Sequence, residues 1–233
     1  FSENQPIGSV VGDFNATDPN ANATLTYYLV SGAGDGNNSF FTLETNGTLK
    51  TAVAFDFESN TSSYSIRVQA KDEHNATVEG NFTITLTDAN DPPVITTPNF
   101  ANVPENQTFA IDLNATDPDG DVLTYSITGG PDQAKFDLNS STGVLTFLQA
   151  PDYEANASAS GNNSYVVIAQ VSDGTADVNQ TVTINVTDVY EAPPNSPPAF
   201  TNSPTANVPE NQTFAIDLNA TDPDGDVLTY SIT

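Results

Sequence analysis

Cysteine is absent from the 233 residues, so the chain can form no disulfide and offers no thiol nucleophile or thiolate metal ligand. Basic residues are scarce: 4 Lys+Arg stand against 30 Asp+Glu, a formal charge of -26. That balance argues against a nucleic-acid partner and against direct binding to anionic lipid. It suits a chain neutralised by bound cations, or one bathed in salt that screens self-repulsion. Tryptophan is also missing, which leaves Tyr27, Tyr28 and Tyr190 as the few candidates for a sugar-stacking platform. The one histidine, His74, lies in an Asp-Glu-His-Asn turn and reads as an exposed turn residue. Nothing places a nucleophile beside a base, so the chain is not read as an enzyme. No apolar run approaches membrane-spanning length and no basic-then-apolar leader opens the chain. The sequence starts at the edge of a strand pattern and stops within a repeat, so it reads as a fragment. The missing leader and anchor therefore carry no information.

What the chain does have is a repeat. Ala101 to Thr128 and Ala206 to Thr233 are identical letter for letter, offset by 105 positions. A period near one hundred residues is too long for a solenoid unit and suits an independently folded domain. A diverged copy opens the chain, aligning Glu3 with Glu105 and Asn15-Ala16-Thr17-Asp18-Pro19 with Asn114-Ala115-Thr116-Asp117-Pro118. Proline-rich breaks at Asp91-Pro92-Pro93 and at Ala192 to Pro198 mark the joints and stiffen them. The expected organisation is repeat 1 over 1–92, repeat 2 with its linker over 93–198, and the opening of repeat 3 over 199–233.

Period-2 alternation dominates. Thr108 to Thr116 places Phe109, Ile111 and Leu113 on one expected buried face, and 65–70, 81–87, 165–171 and 181–187 alternate in the same way. Two strands are expected in repeat 3, over 213–221 and 227–232. Turn signals such as Asn46-Gly47 and Asp173-Gly174 separate these runs. About seven short strands per hundred residues predict a two-sheet antiparallel sandwich.

The carboxylates recur at fixed places: Glu3, then Asp56-Phe57-Glu58, then Asp88-Ala89-Asn90-Asp91-Pro92-Pro93, then Asp117-Pro118-Asp119-Gly120-Asp121, then Asp173. This ordered set resembles the cadherin repeat, with its xEN, DxE, DxNDxxP, DxDxG and late xD motifs. The resemblance covers essentially the whole chain. The Asp-Pro-Asp-Gly-Asp form and the Asn/Thr-rich strands look nearest to cadherin-like repeats of large microbial surface proteins. It implies tandem Greek-key, immunoglobulin-like sandwiches whose motifs meet at each joint and bind Ca2+. Calcium takes six to eight oxygen ligands, more than one loop can present. Carried over by residue, Glu3, Asp56, Glu58 and Asp91 would hold ions at the base of repeat 1. Asn90 and the backbone oxygens of Ala89 and Pro92 would supply the linker's share, and Asp117, Asp119 and Asp173 would close the site from repeat 2. The part of Asp88 is left open.

The second joint departs from the pattern, since repeat 2 ends Asp188-Val189-Tyr190-Glu191 and extra residues precede Pro197-Pro198. Its weaker expected set is Glu105, Asp152, Glu154, Glu191, Asp222 and Asp224. Tyr190 stands at the Asn90 place when the linkers are aligned at Asp188, and Ser196 stands at the Asp91 place at the 105-residue offset. Asn20 likewise erodes the upper motif of repeat 1. An Asp in an Asp-Pro-Asp-Gly turn is by itself more often a turn former than a ligand, and only the joint occurrence of the motifs points to metal. Asn-X-Ser/Thr sequons, among them Asn15, Asn46, Asn75, Asn81 and Asn114, are glycan acceptors only in a host with that machinery. The resulting expectation is a secreted or cell-surface adhesion array stiffened by calcium, partnered by other copies or by surface glycans. The rival readings are a passive spacer and a carbohydrate-binding module.

Overall fold

The computed structural model describes residues 1–20 and 22–232. The chain forms two compact units, Phe1–Thr187 and Asp188–Thr233.

In the first unit the strands are β1 (Val10–Asp13), β2 (Thr26–Leu29), β3 (Phe41–Leu43), β4 (Thr48–Thr51), β5 (Ser63–Lys71) and β6 (Thr77–Thr85). They form two three-stranded sheets, ordered β1-β4-β3 and β2-β5-β6. There follow β7 (Val94–Ile95), β8 (Phe100–Pro104), β9 (Phe109–Asp112), β10 (Ala115–Thr116), β11 (Thr124–Gly129), β12 (Phe136–Leu138), β13 (Val144–Phe147), β14 (Ser164–Ser172) and β15 (Asp177–Thr187). Here the sheets are β11-β14-β15-β8 and β12-β13-β9, with β7 and β10 as a small antiparallel pair. Among the described residues the only helical turns are the 3-10 segments Asn38–Phe40 and Gln133–Lys135, so the protein is all-β.

Alternation builds both cores. In β14 every second residue is buried, and Tyr165, Val167 and Ala169 meet Val182, Ile184 and Val186 of β15 and Leu145 and Phe147 of β13. In β5 the same pattern sends Tyr64, Ile66, Val68 and Ala70 inward against Phe41, Leu49 and Phe55. Tyr64 and Tyr165 occupy matching places, each edge-on to a phenylalanine, Phe55 at 5.0 Å and Phe147 at 5.2 Å between ring centroids. Gly47 closes the β3–β4 turn with φ +98, where a Cβ would lie 2.4 Å from the Phe14 carbonyl oxygen. The start of each repeat runs parallel to its last strand: β8 pairs with β15, and Ser2 bridges Thr87. This brings the Glu-Asn motif at the head of each repeat to the strand that leads into the next joint.

Two strand expectations are corrected. Phe109, Ile111 and Leu113 do not share a buried face: Phe109 is 49% exposed, whereas Ala110 and Leu113 are buried. A β-bulge is the cause. Leu145 pairs with Ile111 and the next residue, Thr146, pairs with Phe109, so Ala110 is the extra residue and the side-chain alternation inverts there. A bulge at Val11 interrupts the β1–β4 register in the same way.

The second unit holds β16 (Ala199–Phe200) and β17 (Ala220–Thr221), paired antiparallel. Of the expected strand 213–221 only its last two residues are strand, and the described part of 227–232 is not strand. In repeat 2 the matching strands β9 and β11 are held by β13 and β14, which lie downstream of Thr128. The 233 residues hold no counterpart of those partners in repeat 3, and a strand without a neighbour leaves its backbone groups unpaired. Thr233, the last residue of the duplicated run, lies outside the described residues.

Candidate metal centre

Glu3 anchors the base of repeat 1. Its side chain is fully buried, with one carboxylate oxygen accepting from the Phe57 amide and the other from the Ala89 amide at 2.8 Å. Asn4, in the left-handed region at φ 58, turns the chain just after it and donates its side-chain amide to Asp91 Oδ1 at 2.8 Å. Asn is among the few side chains that adopt this conformation at low cost. The Asp56-Phe57-Glu58 segment is a turn held by Ser59, whose amide and hydroxyl both donate to the Asp56 carboxylate. Glu3, Asp56 and Glu58 each bring a carboxylate oxygen within 4.8 Å of the other two.

From repeat 2, Asp119 reaches the same place. Its Oδ2 accepts from the Asp91 amide at 2.7 Å, and it gathers with Glu58 and Asp88 within 4.8 Å. Asp88 is therefore part of the cluster. Asp117 and Asp119 also approach Asp121 within 4.8 Å. Asp117 Oδ2 and Asp119 Oδ1 are wholly shielded from solvent and have no hydrogen-bond partner. Asp173 is tied down by the Thr175 and Ala176 amides, both at 2.6 Å, and by the Asn90 side chain at 3.0 Å. The Asn90 amide also reaches the Asp91 carbonyl oxygen at 3.2 Å, and Pro92 is exposed beside them. Thus Glu3, Asp56 and Glu58 form one group and Glu58, Asp88 and Asp119 a second, with Glu58 common to both. Asp91 and Asp173 border them with oxygens occupied by asparagine amides.

The electrostatics follow from that crowding. Glu58 is raised above the ordinary glutamate value, first by lost hydration and then by the charges of Glu3, Asp119 and Asp88, with one backbone amide opposing. Asp88 is raised by lost hydration and by the charges of Asp119 and Glu3. Asp173 is lowered by the Ala176 amide, the Asn90 side chain and the Thr175 amide. Among the described residues no Lys or Arg is paired with the cluster; Lys50 and Arg67 pair with Glu44 and Glu79.

The residues expected at the second joint fall in both units. In the first, Glu105 is buried and accepts from the Tyr153 amide at 2.6 Å, repeating the Glu3–Phe57 arrangement, and it gathers with Asp152 and Glu154 within 4.8 Å. In the second, the Ser196 amide donates to Asp224 Oδ2 at 2.6 Å, as the Asp91 amide does to Asp119. Asn195, not Tyr190, reaches the following carbonyl as Asn90 does, at 3.5 Å. The Asp91 place is thus taken by a serine, and the linker carries five more residues between Asp188 and Asn195 than between Asp88 and Asn90. Glu191 is exposed. Asp222 accepts from the Asp224 amide at 2.9 Å and the Asp226 amide at 3.4 Å.

Asp88 and Asp121 are the cluster members missing from the sequence-derived set. The Asp-Pro-Asp-Gly-Asp spacing was the available signal for Asp121. Of the sugar-platform candidates, Tyr27 is buried with its hydroxyl accepting from the Ala16 amide, Tyr28 is half-exposed and Tyr190 exposed. The His74 side chain is 78% exposed.

A cadherin domain family model matches residues 1–87 and again 99–187, together well over half of the chain. Human protocadherin-15 is 35% identical over 119 residues, which cover 50% of this chain and 6% of that protein. Mouse cadherin EGF LAG seven-pass G-type receptor 2 is 32% identical over 240 residues, 95% of this chain and 8% of that one. Cadherin-2 of Gallus gallus is 33% identical over 226 residues, 81% and 24%. The chain therefore spans at most 24% of the length of these relatives, all of them animal proteins. Among solved structures, human protocadherin-24 EC1-2 in its form II crystal shares the fold with a TM-score of 0.55 at 19% identity, over 81% of this chain and 93% of that one. With two successive matches in order over most of its length, the chain belongs to the cadherin family.

Proposed function

We propose that the first joint binds calcium ions that lock repeat 1 against repeat 2, so that the array projects an adhesive surface as a stiff rod. The observation that carries this is the pair of wholly buried, unpartnered oxygens, Asp117 Oδ2 and Asp119 Oδ1, with Asp119 gathered beside the Glu58 and Asp88 carboxylates of repeat 1. A buried polar atom without a partner is costly, and like charges at this spacing repel. The donor set is all oxygen, with no imidazole or thiolate, which selects a hard cation, and its size suits the high coordination number of calcium. Glu3, Asp56, Glu58, Asp91 and Asp119 would hold ions together with Asp88, Asn90, Asp117, Asp173 and the Ala89 and Pro92 carbonyls. Bound calcium supplies charge neutralisation across the joint. The protein's own residues do the positioning: Glu3 fixes the Phe57 and Ala89 backbones, and the Asp91 amide seats Asp119.

The same parsing gives boundaries after Pro92 and Pro198 and a weaker second joint, with Glu105, Asp152 and Glu154 on one side and Asp222, Asp224 and the linker residue Glu191 on the other. Other copies of the chain are the adhesion partners this reading favours. Small-angle scattering and thermal melting with chelator and with millimolar calcium test it. A longer, narrower distribution of dimensions and a higher melting temperature are expected through linkage. Unchanged dimensions together with unchanged melting contradict it.

A further inference from the structure

We infer that repeat 2 carries a binding cavity for a small aromatic carboxylate, its ring seated over Tyr165 and Phe147 and its charge on Lys135. The inference is independent of the calcium reading. The cavity encloses about 430 Å³, within the usual range of small-molecule sites, about 300–1,000 Å³. Phe147, Leu148, Pro151, Ala155, Ala157 and Tyr165 supply its apolar wall. Repeat 1 shows what fits there. The 3-10 turns Asn38–Phe40 and Gln133–Lys135 are counterparts. The carbonyl of each last residue accepts from the residue just past β4 or β13, the Ala52 amide at 2.8 Å and the Leu148 amide at 2.9 Å. In repeat 1 the Phe40 ring lies over the core aromatics, with centroids 5.7 Å from Tyr64 and 6.3 Å from Phe55. In repeat 2 the Phe40 place is Lys135, and Pro151 precedes Asp152 as Phe55 precedes Asp56. The cavity is thus the space where repeat 1 places a ring, and a planar ligand regains those edge and offset contacts with Tyr165 and Phe147.

Lys135 sets the charge of the ligand. It is half-buried on the cavity wall and has no ion pair among the described residues, although the chain carries 30 Asp+Glu. Asp152, the acidic residue on the wall, already has partners: it accepts from the Ala155 amide at 2.9 Å and gathers with Glu105 and Glu154. A partly desolvated ammonium beside aromatic rings therefore favours an anionic group on the ligand. The far wall is fixed in advance. Tyr165 follows Asp152 by 13 positions where Tyr64 follows Asp56 by 8. The buried Asp132 carboxylate holds this longer excursion through the Ala159 amide at 2.7 Å and the Val166 amide at 2.8 Å.

Chemical-shift titration of the isotopically labelled 233-residue chain tests this, with 3-phenylpropionate as the probe and phenethylamine, of like ring and opposite charge, as the comparison. With or without millimolar calcium, 3-phenylpropionate should give saturable shifts at the Leu148, Gln149, Ala155 and Ala157 amides. Phenethylamine should bind about tenfold more weakly or not at all, and Lys135→Gln should weaken 3-phenylpropionate by about tenfold. Lys135→Phe, which restores the side chain that repeat 1 has at this place, should abolish the saturable shifts. No saturable shift at these amides in the wild type overturns the inference, as does binding that survives Lys135→Phe. Equal affinity for the two probes, or a Lys135→Gln affinity equal to wild type, also overturns it, because Lys135 would then select nothing. Shifts that need calcium would assign the probe to the metal and overturn it as well.

Discussion

Glu3 and Glu58 belong to one acidic group, yet their loss should be felt differently. Glu3 is buried and holds the Phe57 and Ala89 amides, so Glu3→Ala leaves two partly buried donors unpaired. It should lower stability even in chelator, at about 1–3 kcal/mol for each orphaned amide, measured by urea unfolding. Glu58 supports no such bond across the fold and suffers the repulsion of Glu3, Asp119 and Asp88. Glu58→Gln should therefore raise the melting temperature in chelator while removing most of the calcium response. The sign with pH follows from linkage. Carboxyls raised in the folded state contribute stability that is present below their ordinary range and is lost as pH rises through the raised values. The chelated wild type should thus match Glu58→Gln near pH 4 and fall behind it as pH rises to about 7. At this scale the sequence was informative where a motif names a residue type, as at Glu3 and Asp56. It was silent on Asp88, because only the fold brings that side chain to Glu58 and Asp119.

At the scale of elements, strand existence was legible and strand facing was not. The alternation of β5 and β14 is uninterrupted and both pack as expected. In β9 the bulge at Ala110 hides the true core positions behind a regular alternation of residue types, because a bulge has no fixed residue signature when the extra residue is small and apolar. Ile184, central in β15 and fully buried, should cost about 2–5 kcal/mol when cut to alanine, as read by chemical denaturation. The linkers differ more than their shared Pro-Pro endings suggest. The Ser196 amide makes the bond that the Asp91 amide makes, but serine brings no carboxylate, and five extra residues precede it. The acidic groups found among the described residues include none with Asp222, Asp224 or Asp226. Asp91→Ala should accordingly abolish most calcium binding at the first joint, whereas Glu191→Ala should leave the isotherm of the 233-residue chain nearly unchanged. Calorimetry showing an equal loss for both would mean that the longer linker supplies ligands of its own.

Across the whole molecule, one run of residues has two structures. Within Ala101 to Thr128, β8, β9 and β11 form against partners far along the chain. Over Ala206 to Ile232 only β17 forms, and it reproduces the β7–β10 pair residue for residue, down to the Thr201 amide on the Asn219 carbonyl in place of Thr96 on Asn114. Identical letters thus fix the local pairing and not the long-range one, whose partners lie elsewhere in sequence. Hydrogen exchange should show amides 213–218 and 227–232 exchanging freely while those of β9 and β11 are protected; protection of the former that grows with protein concentration would instead mean strand exchange between chains. The joint is the other property that no single repeat contains, and the absence of native cysteine allows it to be measured cleanly. Spin labels at Thr45→Cys and Ser141→Cys, exposed residues near the β3–β4 and β12–β13 turns, report the distance between the two sandwiches. Pulsed dipolar spectroscopy should give a broad distance distribution in chelator that narrows to a single population in millimolar calcium and broadens again with Glu58→Gln. A distribution of the same width with and without calcium would contradict the account.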